Sequence, residues 1–164
     1  MFPPPPQTPL AHWPVQLAIS SGYIWYTEPG AFVTQSYIEH ATLEGTQAMT
    51  LRVDSVLRAH REELEQLGGL LIIHDWRSLK SWDADARHHL IQRSKDRPRG
   101  AVRHVVVALS TNPFLRMAAQ VINLMMSAIG GAGLQVVDAI GPSLTRFSVK
   151  TPPRSARLPA GLAE

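Results

Sequence analysis

The chain contains no cysteine. That excludes a disulfide framework, a thiolate nucleophile and a thiolate-ligated metal centre, and it is compatible with a reducing cytosol. Charge is also scarce. Asp, Glu, Lys and Arg make up 18% of the 164 residues, with a net charge of +3. No long hydrophobic run is present either. The most apolar stretch, 117–134, is broken by Gln120, Asn123 and Ser127 and ends in Gly130-Gly131. It falls short of the ~20 apolar residues that cross a bilayer. The first residues lack a charged start followed by an apolar core, so secretion is not expected and a cytoplasmic location is.

The missing motifs bound the chemistry further. There is no Gly-rich phosphate loop, no Gly-x-Ser-x-Gly nucleophile elbow and no His-x-x-x-His spacing. His88 and His89 are neighbours, so on a helix they diverge by about 100° and cannot share a metal. No metal, no cofactor and no catalytic residue are therefore expected.

Proline is abundant only where it prevents folding. Pro3, Pro4, Pro5, Pro6, Pro9 and Pro14 crowd the start, where fixed φ angles and missing donors oppose any packed element. Residues 1–13 are expected to form a disordered Pro-rich tail and 151–164 a flexible basic tail. Between them, 14–150 suits a single domain. Within the second tail, Ser155 stands between Arg154 and Arg157, open to modification.

Hydrophobic patterning predicts the elements. Residues 15–20 and 23–28 are β-prone runs separated by Ser21-Gly22, a hairpin pattern, and Pro29-Gly30 ends the second. Over 35–67 the period becomes helical. Val53, Val56, Leu57, His60, Leu64 and Leu67 form one stripe, stopped by Gly68-Gly69. Residues 70–73 are continuously apolar, as in a strand covered on both faces. Asp83 is placed to cap a helix reaching about residue 92, with Asp85 in its first turn. A strand follows over 102–109, and then Ser110-Thr111-Asn112-Pro113 opens a helix over 114–129. A last strand is predicted over 134–140. The order β-β-α-β-α-β-α-β implies an α/β fold whose central sheet is mostly parallel, with the first strand as an antiparallel edge.

This order and the segment around Asp75 resemble the STAS domain, the fold of bacterial anti-sigma-factor antagonists. In that family a strand ends in Asp, an apolar loop residue follows, and Asp-Ser-Ser-Gly-Leu opens the next helix. Here Asp75 ends the strand, Leu79 and Trp82 take the apolar positions, Asp83 stands at the helix opening and Leu90 keeps a later apolar position. The run Glu28-Pro29-Gly30-Ala31-Phe32 resembles the family's turn into its first helix. The likeness covers about 15–140. The family's phosphorylatable serine pair is replaced by Ala84-Asp85, its Gly by Ala86 and the following apolar residue by Arg87. The resemblance thus implies a divergent regulatory or scaffold domain in which Asp85, carrying one charge, stands where a phosphoserine would carry about two.

The expected function is accordingly non-enzymatic: recognition of a protein partner in signalling. The surface would comprise Asp75, Trp76, Ser78, Lys80, Ser81, Asp83, Asp85 and Arg87, with Ser110 and Thr111 at the neighbouring strand end, where ligands of open α/β sheets collect. Capping and turn formation alone would also explain Ser81, Ser110 and Thr111. Trp82 matches an apolar family position and suits the core, whereas Trp76 suits an interface. A basic patch of Arg93, Lys95, Arg97, Arg99 and Arg103 is countered by Asp96 alone. It would meet phosphates or an acidic partner, or stand as a solvated charged loop. Nucleic acid is not expected, because the patch is short and lacks interleaved aromatics. The 114–129 helix is apolar on most faces and would pack in the core, mediate homo-oligomerisation or meet a lipid or membrane surface. The alternative function is therefore a lipid- or small-ligand-binding domain, with that helix lining an apolar cavity.

Overall fold

The computed structural model describes residues 15–19, 21–28 and 30–150. Both expected tails, with Ser155, lie outside the described residues, as do Ser20 and Pro29. The elements in chain order are β1 (Val15–Ile19), β2 (Gly22–Thr27), β3 (Ala31–Ser36), β4 (His40–Ala41), α1 (Leu43–Ala59), α2 (Arg61–Gln66), β5 (Leu70–Trp76), β6 (Ser81–Trp82), α3 (Ala84–Asp96), β7 (Val102–Leu109), α4 (Pro113–Ala128), β8 (Leu134–Val137) and α5 (Gly141–Arg146). Six strands form one sheet in the order β1-β2-β3-β5-β7-β8, and β4 pairs with β6 in a separate two-stranded ribbon.

The fold is α/β with a mostly parallel central sheet. β3, β5, β7 and β8 run parallel, while β1 and β2 form an antiparallel hairpin on one edge. Gly22 is needed in that hairpin. Its φ is +148°, and a Cβ there would stand 1.9 Å from the Gln35 carbonyl oxygen.

β3 corrects the expected order. Residues 28–32 do not turn into a helix but into a third strand, and the expected single helix starts at Leu43 rather than near residue 35 and divides at His60 into α1 and α2. The physical reason is that β3 lies between β2 and β5 with every residue buried. A strand covered on both faces shows no alternation, and its polar end, Thr34-Gln35-Ser36, resembles a loop leading into the next helix. The α3 helix also runs four residues further than expected, to Asp96. The predicted cap of α4 is present: Asn112 Oδ1 accepts from the Phe114 amide at 3.0 Å, with Pro113 in the first turn.

The helical crossovers advance through the sheet in one direction, from β3 to β5 to β7 to β8, so they lay α1, α3 and α4 on the same face. Strand alternation then divides the core. Ile24, Tyr26, Phe32, Leu70 and Ile72 face α1, and Val107 and Leu109 face α4. Trp25, Val33, Leu71, Ile73, Val106 and Ala108 face the other way, onto Ile140 and Leu144 at α5 and Val149 beyond it. Among the described residues no helix is long and apolar enough to cross a membrane.

Candidate functional site

The face under α1, α3 and α4 does not close completely. Between these helices and the sheet lies a cavity of about 520 Å³. Val105, Val107 and Leu109 of β7 and Ala119, Ile122 and Met126 of α4 form one wall. Met49 and Val53 of α1 with Leu90 of α3 form another. Ile72, His74 and Trp76 of β5 lie on the cavity side because they alternate with Leu71, Ile73 and Asp75 on the opposite side. The mouth is marked by exposed lining residues, among them Ile38, His40, Thr42 and Glu44.

The polar groups inside are few, and each has a structural origin. His74 is 7% exposed. Its Nδ1 lies 2.6 Å from the Thr34 hydroxyl, and its ring stacks on Trp76 at 4.4 Å. Burial, and then the nearby Arg97 guanidinium, push its pKa down to about 3, so the ring is neutral at physiological pH. Trp76 meets Trp82 edge to face at 5.6 Å. The Trp82 Nε1 is buried and, among the described residues, has no hydrogen-bond partner.

Arg97 follows the last turn of α3 and reaches inward. Its side chain is 13% exposed, and Nε donates to Asp54 Oδ1 at 2.9 Å. Asp54, on α1, also receives Arg93. Burial alone would raise the Asp54 pKa, but the two guanidiniums outweigh it and hold the carboxyl below its ordinary range. The Nη2 of Arg97 is buried and, among the described residues, has no hydrogen-bond partner. Nearby on the α1–α3 seam, Thr50 Oγ1 and His89 Nε2 stand 2.9 Å apart.

The residues expected to form a partner surface separate into two groups. Asp75 is only 2% exposed and lies on the other face of the sheet. It accepts from Arg77 Nε and Nη2, each at 2.8 Å, and from Gln35 Nε2 at 3.4 Å. Trp76 is half-buried in the cavity wall rather than projecting toward a partner. From the rest of the loop Leu79 and Trp82 line the cavity, and its polar residues contact Glu39 and His40 beside the mouth. Lys80 pairs with Glu39 at 2.7 Å, the Ser81 hydroxyl lies 2.6 Å from His40 Nδ1, and Asp83 pairs with His40 Nε2 at 3.0 Å. Asp83 stands at the N-cap of α3, but its side chain makes no cap hydrogen bond. Ser78, Asp85 and Thr111 are exposed, and Arg87 is half-buried. The Ser110 carbonyl accepts from Arg116 Nε at 2.9 Å, and the Ser110 hydroxyl accepts from the Asn112 amide at 3.4 Å.

The basic run does not form one patch. Arg93 and Arg97 converge on Asp54, while Arg103 is partly buried and donates to the Leu67 carbonyl at 3.5 Å. Lys95 and Arg99 are exposed. Asp54 and Thr50 were missed by sequence reasoning. Their signal was a pair of polar residues one helical turn apart, beside the apolar stripe of α1.

No protein-family model matches the chain, and no curated protein is similar to it in sequence.

Proposed function

We propose that this protein is a non-catalytic binding domain that takes a small, largely apolar ligand into the cavity between the sheet and α1, α3 and α4. The cavity carries the reading. Protein interiors normally pack to crystal density with few voids larger than a water. A space of about 520 Å³, walled by apolar side chains from the sheet and from α1, α3 and α4, falls in the size range of small-molecule sites. A few polar groups, His74, Arg97 and the Trp82 Nε1, would orient what enters.

The chemistry inside favours binding over turnover. Thr34 is the hydroxyl beside His74, but a ring whose pKa is about 3 is far too weak a base to activate it near neutral pH. The resemblance to STAS domains supports the same class of function, a module that recognises rather than converts. Its loop would then act as the rim of a ligand cavity.

The test is a titration with N-phenylnaphthylamine, an uncharged probe that fluoresces in apolar surroundings, read also by energy transfer from Trp76 and Trp82. Saturable one-to-one binding to the native protein is expected. Binding that appears only as the protein unfolds would overturn the reading.

A second reading concerns α4. Its inner residues Leu115, Ala119, Ile122 and Met126 are buried, while Phe114, Met117, Val121, Leu124 and Met125 stand in solvent. Arg116, the sole charged residue of α4, is turned to the Ser110 and Leu109 carbonyls and Asp138. The outer face therefore offers no charge to a charged partner. Its natural complement is an identical stripe on a second copy, related by a twofold axis.

A further inference from the structure

The wall of the cavity is charged at one place. Among its lining residues only Arg97 and Glu44 carry full charge at neutral pH, and Glu44 stands exposed in the first turn of α1 at the mouth. Arg97 is the inner one. Around it buried counter-charge is scarce: Arg97 shares the Asp54 carboxylate with Arg93, and Asp96, which meets Arg93 at 3.8 Å, is 62% exposed. Asp54 is thus the one buried carboxylate for two guanidiniums, and among the described residues the buried Arg97 nitrogen Nη2 has no acceptor. Such a donor carries a desolvation cost that a bound acceptor would relieve.

The opposite end of the cavity differs in kind. Trp82 precedes α3 and Arg97 follows it, so the two stand at opposite ends of a 13-residue helix, about 20 Å long at 1.5 Å per residue. The walls between them are apolar apart from Thr46, Thr50, Ser94 and the neutral His74. The unpartnered group at the Trp82 end is an uncharged N–H, which suits a neutral acceptor or none.

Building on the ligand-binding reading above, we infer that the occupant is an apolar organic acid, a singly charged anion whose acid group is received by Arg97 while its body fills the space toward Trp82. A monoanion matches the one open donor nitrogen of Arg97. A doubly charged phosphate monoester would leave one charge uncompensated in a low-dielectric site, which is costly. The planar guanidinium, already fixed through Nε by Asp54, is held ready for an oxygen acceptor.

The experiment compares two probes that share one skeleton, anilinonaphthalene sulfonate (the monoanion) and N-phenylnaphthylamine (its uncharged twin). Both are titrated against the full chain at neutral pH and moderate salt. Wild type is expected to bind the anion at least about tenfold more tightly than the twin, the range of a charge-assisted hydrogen bond. Arg97→Gln should bring the two affinities together by weakening the anion alone. Asp54→Asn should shift the ratio the other way, raising the preference for the anion. Because these variants move the ratio in opposite directions, a general loosening of the α1–α3 seam cannot imitate both, and either one suffices if the other fails to fold. Ala119→Leu, which fills the cavity wall, should weaken both probes. Equal affinity for the two probes in wild type would overturn the acid-group inference and leave the cavity reading standing. Failure of both to bind would overturn the cavity reading itself. Anion binding unchanged in both Arg97→Gln and Ala119→Leu would place the anion elsewhere and overturn the inference.

Discussion

The two faces of the central sheet are made from alternate residues of the same strands, yet one is filled and the other is hollow. On the filled face Trp25, Val33, Leu71, Ile73, Val106 and Ala108 meet Ile140, Leu144 and Val149 in one continuous cluster. On the hollow face three long helices cover the sheet, and still about 520 Å³ stays open. The helices pack well near β2 and β3, where Val53, Val56 and Leu64 meet Tyr26 and Phe32. There Arg52 also lies over the Tyr26 ring at 5.7 Å, and burial pushes the Tyr26 hydroxyl up to about 12 against the opposing pull of Arg52. They part where α1, α3 and α4 carry polar or small residues inward, namely Thr50, Ser94, Arg97 and Ala119. More helix does not make a tighter core. What closes a face is the size and polarity of the residues its helices turn inward.

Paired truncations would break this comparison most forcefully. Ile73→Ala, on the filled face, should cost about 2–5 kcal/mol, because the surroundings can collapse only partly around the lost atoms. Ile122→Ala removes the same atoms from a wall already facing empty space and should fall below it. Urea unfolding of both variants checks this, and equal costs would mean that the hollow face is packed in solution.

Acid should act through the hollow face next. The His74 pKa lies near 3 in the folded chain, against an ordinary value of 6.5. Between those values the unfolded chain binds a proton that the folded one does not. Stability is therefore full above about pH 6.5 and falls as the pH is lowered, by up to about 1.4 kcal/mol per pH unit. Asp54, whose folded pKa is depressed, adds to the loss only below its ordinary value of 3.8. His74→Gln should flatten the dependence between pH 6.5 and about 4. A slope unaltered by that substitution would assign it to other groups.

Filling the cavity sharpens the contrast at smaller energy. Ala119→Leu adds apolar volume facing open space, so stability should change by no more than about 1 kcal/mol, against the usual 1–3 kcal/mol cost of overpacking a dense core. A larger loss would mean that the space around Ala119 is already taken. The smallest energetic effect is expected on the outside of α4. Leu124, 70% exposed, becomes Glu with a stability change within about 0.5 kcal/mol. Light scattering at high micromolar concentration should nonetheless show a dimer in wild type and a monomer in Leu124→Glu. A monomer in both would remove the self-association reading.

The strand–helix alternation, the Asn112-Pro113 helix start and the Gly68-Gly69 helix stop were all legible in the sequence, because they are local; the division of the preceding helix at His60 was not. They depend on periodicity, on a capping side chain and on backbone freedom. Gly69 illustrates the last point: with φ at +114°, a Cβ there would stand 2.3 Å from the Gly100 carbonyl. β3 was not legible, since a strand buried on both faces gives no alternation and its ending in Thr34-Gln35-Ser36 looks like a loop.

The site was legible only in fragments. Trp76, Trp82 and Arg97 were singled out, but for an interface, a core position and a surface patch. Arg97 shows why: sequence spacing joined it to Lys95 and Arg99, while the fold joined it to Asp54, 43 residues away, and to the cavity. Composition and periodicity by themselves determined an α/β domain without thiol chemistry, because those properties follow from residue types and nearest neighbours along the chain. Only the tertiary structure decided that one sheet face is hollow and that a cation stands inside it. Packing gaps and long-range charge pairs arise where distant segments meet, and no local pattern specifies how well they fit.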